Sequence, residues 1–211
     1  MYAQITTRCN MSCDHCCFDC TAEGEDMSLD VFRRILNRTT RNLTIGGGEP
    51  TLHPQFWDFM DLAIQHTKSP GIATNGSMTE DAIKLAAMAQ QGEITCVLSQ
   101  DIYHDPIDPR VIAAFQGAPA QNGYPHIVDD DDYRIIRDVA GGEVNSGRCD
   151  FGSYNCPCRG PFVEPAGNVF VCGCMDSLHL GLIGPATPIG ADAERVCHTK
   201  LNSEQRKRLE F

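Results

Sequence analysis

Up to about residue 101 the chain alternates short apolar runs with amphipathic stretches. The repeat is roughly 30 residues, the length of one parallel β–α–β step. That alternation restricts the fold more than any other feature of the sequence. Strand-like runs fall at 2–7, 42–45, 71–73 and 94–98. A first helix begins at Ser28, with Asp30 in its first turn and Val31, Phe32, Ile35 and Leu36 on one face. A second starts near Pro54 and carries Phe56, Met60, Ala63 and Ile64 at helical spacing. The third opens at Ser77-Met78-Thr79-Glu80, which reads as a capping box. Each strand-like run ends in polar, Gly-rich or Cys-rich residues. In a parallel barrel or open sheet the carboxyl ends of the strands form the active-site face.

The rest of the chain is less regular. Residues 108–115 read as a helix, and 126–128 and 133–136 as strands. The four aspartates at 129–132 read as a solvated loop. From Cys149 the composition turns to Cys, Gly and Pro. A β-hairpin is expected between residues 162 and 171, its turn at Pro165-Ala166-Gly167-Asn168. The tail, 202–211, carries Arg206-Lys207-Arg208 and reads as a polar surface helix.

Composition narrows the class of function. With 211 residues and 42% hydrophobic content the chain can bury a sizeable core. A formal net charge of −11 argues against tight non-specific binding to nucleic acid, which needs a Lys/Arg surface. No charged segment followed by an apolar run opens the sequence, and no apolar stretch approaches the ~20 residues of a membrane span. The expected location is therefore cytoplasmic, with no membrane partner. In that setting twelve cysteines read as metal or redox ligands before disulfides.

Five of the twelve lie in "RCNMSCDHCCFDC", residues 8–20. Cys9, Cys13 and Cys16 are spaced C-x3-C-x2-C. Three thiolates can hold three irons of a [4Fe–4S] cluster and leave the fourth without a protein ligand, an open and hence catalytic arrangement. Asn10, Ser12 and Asp14 favour irregular backbone between them. A zinc site completed by Cys17 or Cys20 is the structural alternative. Gly47-Gly48-Glu49-Pro50 follows the second strand.

These two motifs together resemble the signature of the radical S-adenosylmethionine (radical SAM) enzymes: the three-cysteine loop after the first strand and GGEP after the second. His15 stands where that family usually has an aromatic residue. The resemblance covers roughly residues 2–101. It implies an α/β fold, a partial, shortened (βα) barrel, whose later strands are abbreviated in a chain of this length. It also implies a [4Fe–4S] cluster on Cys9, Cys13 and Cys16 that binds S-adenosylmethionine and cleaves it to methionine and a 5′-deoxyadenosyl radical, which abstracts hydrogen from a substrate. Expected contacts to S-adenosylmethionine are Gly47 and Gly48, which lack side chains where backbone approaches the ligand and can adopt positive φ, with Glu49, Thr74, Asn75, Ser99 and Asp101. The reductant would be a flavodoxin or ferredoxin, and the substrate a small molecule or a peptide.

A second cysteine group, Cys149, Cys156, Cys158, Cys172 and Cys174, lies within 26 residues. With Pro165 and Gly167 it resembles the SPASM or twitch extension of some radical SAM enzymes, which carries an auxiliary [4Fe–4S] cluster; a structural zinc is the alternative. The expected organisation is a core at 1–148, a Cys-rich hairpin extension at 149–184 and a C-terminal tail at 185–211. With an auxiliary cluster, oxidation of a carbinol or a peptide side chain is the first expectation. A radical rearrangement of a modified nucleoside or amino acid is the second, and a non-catalytic iron–sulfur or zinc protein the third. Cys96, inside an apolar strand, reads as a buried apolar residue.

Overall fold

The computed structural model describes residues 1–13, 16, 18, 20–39, 43–67, 69–100, 104–116, 126–128, 161–171, 173 and 179–189. Its strands are β1 (Tyr2–Thr6), β2 (Thr44–Gly47), β3 (Gly71–Thr74), β4 (Thr95–Ser99), β5 (His126–Val128), β6 (Phe162–Val163), β7 (Asn168–Phe170) and β8 (His179–Leu182). Its helices are α1 (Leu29–Arg38), α2 (Phe56–His66), α3 (Thr79–Gln90) and α4 (Pro109–Gln116). The strands form a mixed sheet in the order β5-β4-β3-β2-β1-β6-β7-β8. Pairing is parallel from β5 through β6 and antiparallel across β7 and β8. The β–α alternation of the sequence accounts for the parallel part, since each helix returns the chain to start the next strand in the same direction.

The pleat explains the two faces of the sheet. Ala3, Ile45, Ile72 and Cys96 form one row across β1 to β4 by register. They join Ile5 and Leu98 in a single buried cluster with Phe32, Ile35 and Leu36 of α1, Phe59, Met60 and Ala63 of α2, and Ala82, Leu85 and Ala86 of α3. Phe32 and Phe59 meet at 4.4 Å between ring centroids, tilted by 50°. The alternate residues are mostly small or polar, Gln4, Thr44, Gly46, Gly71, Ala73, Thr95 and Ser99, with Tyr2 and Val97 the larger members. A side chain at Gly46 would collide with the Tyr2 hydroxyl, and one at Gly71 would press on Thr44 and Thr95. Cys96 is fully buried, and burial pushes its thiol well above the usual range, so it behaves as an apolar residue.

Several local expectations are corrected. Ser28 does cap α1, its hydroxyl accepting from the Val31 amide at 3.3 Å. No capping box opens α3: the N-cap is Met78 without a side-chain hydrogen bond, and Ser77 turns its hydroxyl elsewhere. The second strand runs two residues later than expected, into the glycines. A 3₁₀ turn, Pro50–Leu52, and strand β8 were not legible. The hairpin turn forms, with Gly167 at φ +90° and its amide donating to the Glu164 carbonyl at 2.9 Å. Residues 129–136 and 202–211 lie outside the described residues. Among the described residues no helix is long and apolar enough to cross a membrane.

Candidate active site

The loop that follows β1 is stitched shut at its base. The Thr7 amide donates to the Glu25 carbonyl, the Cys9 amide to the Thr21 carbonyl and the Met27 amide to the Ile5 carbonyl, at 2.7–2.8 Å. Thr6 Oγ1 donates to Asp26 at 2.7 Å, and the Arg8 guanidinium forms a two-point ion pair with the same carboxylate. Gly24 lies so close to Thr7 and Arg8 that a methyl group there would meet backbone at 2.3 Å. These contacts fix the base of the loop.

Within the loop Cys9, Cys13 and Cys16 are part-exposed, and the Cys16 amide donates to the Cys13 carbonyl at 2.9 Å. Burial pushes the Cys9 thiol above its usual range, and Glu49 and Cys16 add to that; amide donors from Met11 and Asn75 oppose it. Among the described residues no three His, Cys, Asp or Glu side chains gather closely enough to share one metal ion. With amide donors already aimed at one sulfur, the loop fits a cluster.

Strand β2 delivers Gly47, Gly48 and Glu49 against this loop. The Gly48 amide donates to the Thr6 carbonyl at 2.9 Å and the Glu49 amide to the Arg8 carbonyl at 2.8 Å. A Cβ on Gly48 would lie 2.2 Å from the Arg8 carbonyl oxygen and 2.9 Å from Cys9 Cβ; one on Gly47 would lie 2.4 Å from the Thr6 carbonyl oxygen. Both glycines are thus required by the close approach of β1. Neither has positive φ: Gly47 is the last residue of the extended strand β2 and Gly48 follows it directly, so the close approach is what uses the missing side chains.

Glu49 is fully buried and joins three segments. Its Oε1 accepts from the Thr51 amide at 3.1 Å, the Thr51 hydroxyl at 2.5 Å and the Thr74 hydroxyl at 2.9 Å; Oε2 accepts from the Asn75 amide at 2.6 Å. Burial raises its carboxyl above the usual range, and these donors oppose the rise. Thr74 Oγ1 also accepts from the Gly76 amide, and Gly76 turns the chain at φ +74°. The next residues reach back to the cysteine loop: Asn75 Nδ2 stands 3.8 Å from Cys9 Sγ and 3.3 Å from Asn10 Oδ1, and Ser77 Oγ donates to Asn10 Oδ1 at 3.0 Å.

The family model described as Radical SAM superfamily matches residues 3–114. The chain belongs to the radical SAM superfamily. Membership implies an iron–sulfur cluster and S-adenosylmethionine. The chain is similar to a tungsten-containing aldehyde ferredoxin oxidoreductase cofactor-modifying protein of Pyrococcus furiosus, 33% identical over 48% of this chain and 30% of that one. It is similar to the mycofactocin maturase MftC of Mycobacterium tuberculosis, 33% identical over 40% of this chain and 23% of the other. A probable GTP 3′,8-cyclase of Methanosarcina mazei is 29% identical over 54% of this chain and 35% of its own. The solved structure of Streptococcus suis SuiB bound to S-adenosylmethionine covers 85% of this chain and 62% of that one, at 11% identity and a TM-score of 0.42. The matched regions span about a quarter to a third of these curated relatives, from 23% to 35%.

In this radical SAM chain the fold brings the expected residues of three strand ends together: Cys9, Cys13 and Cys16 after β1, Gly47, Gly48 and Glu49 at the end of β2, Thr74 and Asn75 at the end of β3. Ser99 closes β4, whose register sets Leu98 beside Thr74. Asp101 and the second cysteine group, Cys149, Cys156, Cys158, Cys172 and Cys174, lie outside the described residues. Sequence reasoning missed Thr51 and Ser77 as members of the site, and read Asn10 as part of the irregular cysteine loop without its side-chain partners. Thr51 had a signal: an acceptor at Glu49 followed by Pro50 is the opening of a short helix, whose orphan amide falls on Thr51. Asn10 and Ser77 had none, because they meet 67 residues apart in the chain.

Proposed function

We propose that this chain is a radical SAM enzyme in which Cys9, Cys13 and Cys16 hold a [4Fe–4S] cluster and the neighbouring strand ends bind S-adenosylmethionine, for hydrogen abstraction from a small-molecule or peptide substrate. The observation that carries this is the meeting of the three-thiol loop with Gly48, where an added Cβ would lie 2.9 Å from Cys9 Cβ, and with Asn75, whose Nδ2 stands 3.8 Å from Cys9 Sγ. When bound, the cluster and S-adenosylmethionine supply one-electron cleavage of the sulfonium C–S bond and a 5′-deoxyadenosyl radical that takes hydrogen from substrate.

The chain's own residues bind and orient. Three thiolates for four irons leave one site for a ligand that is not protein. The amides of Gly48 and Glu49 donate to the Thr6 and Arg8 carbonyls, and the Glu49 and Pro50 carbonyls accept from the Leu52 and His53 amides, so the Gly48 carbonyl is the one the GGEP segment would offer to a ligand's ammonium group. Glu49 and Thr74 act as positioning residues, since their polar atoms hold the strand ends to one another. Ser99 and Asp101 supply hydroxyl and carboxylate groups suited to ribose hydroxyls. The electron comes from a flavodoxin- or ferredoxin-type reductant. An auxiliary cluster on four of Cys149, Cys156, Cys158, Cys172 and Cys174 is supported by their spacing, and it would favour net oxidation of the substrate over rearrangement. The relatives' names range over cofactor modification, maturation and GTP cyclisation. They support the class and leave the substrate to be found.

The test is anaerobic reconstitution of wild type beside a variant with Cys9, Cys13 and Cys16 all changed to Ala. Iron and sulfide are counted, and 5′-deoxyadenosine is measured after adding S-adenosylmethionine and dithionite. Wild type should hold about four more irons than the variant and alone release 5′-deoxyadenosine. Iron remaining in the variant reports the second cysteine group. Equal iron in both proteins with no 5′-deoxyadenosine would overturn the proposal.

A further inference from the structure

Asn75 is held at both ends before any ligand is considered. Its backbone amide donates to Glu49 Oε2 at 2.6 Å, and its side-chain Oδ1 accepts from the Ser77 backbone amide at 2.9 Å. A backbone N–H can only donate, so that bond decides which end of the side-chain amide is oxygen. The NH₂ end must face the other way. There it meets two acceptors, Cys9 Sγ at 3.8 Å and Asn10 Oδ1 at 3.3 Å, one for each hydrogen. The residue is 5% exposed, so water does not compete strongly for these hydrogens. A residue needed only for the turn could use Oδ1 alone, as an aspartate would. The second half of this side chain is aimed at the sulfur.

We infer that Asn75 is a positioning residue for the cluster's electronics: its N–H donates to the Cys9 sulfur and raises the reduction potential of the cluster that Cys9 helps to hold. This rests on the cluster assignment proposed above. The physical reason is that a reduced cluster carries one more negative charge, spread over its sulfurs. A fixed N–H directed at one of them stabilises that state more than the oxidised one. The donor is oriented by Glu49 and Ser77 in advance, so little reorganisation accompanies electron transfer. Both amide hydrogens are engaged in this arrangement, which assigns Asn75 to the sulfur and leaves ribose recognition to other residues.

Two variants separate the parts. Asn75→Asp keeps an oxygen for the Ser77 amide and replaces the donor by an acceptor. Asn75→Leu keeps the approximate shape and removes both functions. Each is reconstituted anaerobically, its iron is counted, and the midpoint potential is read by electron paramagnetic resonance at a series of poised potentials, without S-adenosylmethionine or substrate. Both variants should retain iron and show a more negative midpoint. The ratio of reduced to oxidised cluster at a fixed poise should fall about tenfold, equivalent to about 59 mV for one electron, with Asn75→Asp shifted at least as far. Retained iron with an unmoved midpoint would overturn the inference, as would loss of iron from both variants, which would make Asn75 a brace for the loop alone. Wild type without iron would overturn the cluster assignment itself. Wild type that loads iron and forms 5′-deoxyadenosine beside an unmoved midpoint overturns only the role of Asn75.

Discussion

Glu49 carries one fixed backbone donor on each carboxylate oxygen, Thr51 on Oε1 and Asn75 on Oε2. A glutamine there must turn its NH₂ toward one of them, whichever way the amide lies. Glu49→Gln should therefore destabilise the protein by about 1–3 kcal/mol, read from urea unfolding of the metal-free chain, with the loss of a buried acceptor as the cause. His53 is a second buried group with a fixed state. Its Nδ1 accepts from the Gln55 amide at 3.0 Å, which leaves Nε2 as the donor to the Met27 carbonyl at 2.9 Å and the ring neutral. Burial is the main cause that lowers its pKa below the ordinary 6.5. A lowered value means the unfolded chain binds the proton more readily. The contribution of His53 is thus fully present above about 6.5 and is lost as pH falls through the lower folded value. Melting temperatures of wild type should drop on acidification from about pH 7.5, and His53→Gln should lack that part of the drop; parallel curves for the two proteins would refute the assignment.

At the scale of elements, the site depends on how closely strand ends approach one another. Gly48 belongs to β2's exit yet is pressed on Arg8 and Cys9 of the preceding loop. Gly48→Ala would place a methyl 2.2 Å from a backbone oxygen that has no rotamer to change. The expected cost is about 1–3 kcal/mol, together with reduced iron uptake, because the cysteine loop must move. Gly184 provides the contrast. A Cβ there meets nothing closer than 3.9 Å, and its φ is not positive, so Gly184→Ala should change stability by less than about 0.5 kcal/mol. If both substitutions behave alike in urea unfolding, close approach is not what the GGEP glycines serve.

At the scale of the molecule, β1 is an interior strand, with β2 on one side and β6, from residues 162–163, on the other. The stack of Tyr2, Phe18 and Phe162, with centroids 5.2–5.9 Å apart, joins the same regions. A second tie runs from α1: Arg38 donates to the Pro185 carbonyl at 3.0 Å and the Thr187 carbonyl at 2.7 Å. Arg38→Ala should release this end of the sheet by about 1–2 kcal/mol. Amide hydrogen exchange would then quicken across 179–189 and stay unchanged across β2, β3 and β4. Equal acceleration in both places would show that Arg38 supports α1 and not the tie.

The sequence by itself determined the alternation of strands and helices from β1 to β5 and the hairpin of β6 and β7, the thiol spacing and the glycines at β2's end. These are local periodicities and short motifs, set by pleat, helical turn and chain continuity. It did not determine what those motifs touch. That Ser77 engages Asn10 instead of capping α3, that Glu49 binds donors from two segments, and that Asn75 turns its NH₂ to Cys9 all follow from strand order and register. Hydrogen bonds spanning 65 to 67 residues leave no periodic trace in a sequence. Buried polar atoms must find partners among whatever groups the sheet brings beside them, and only the tertiary structure decides which groups those are.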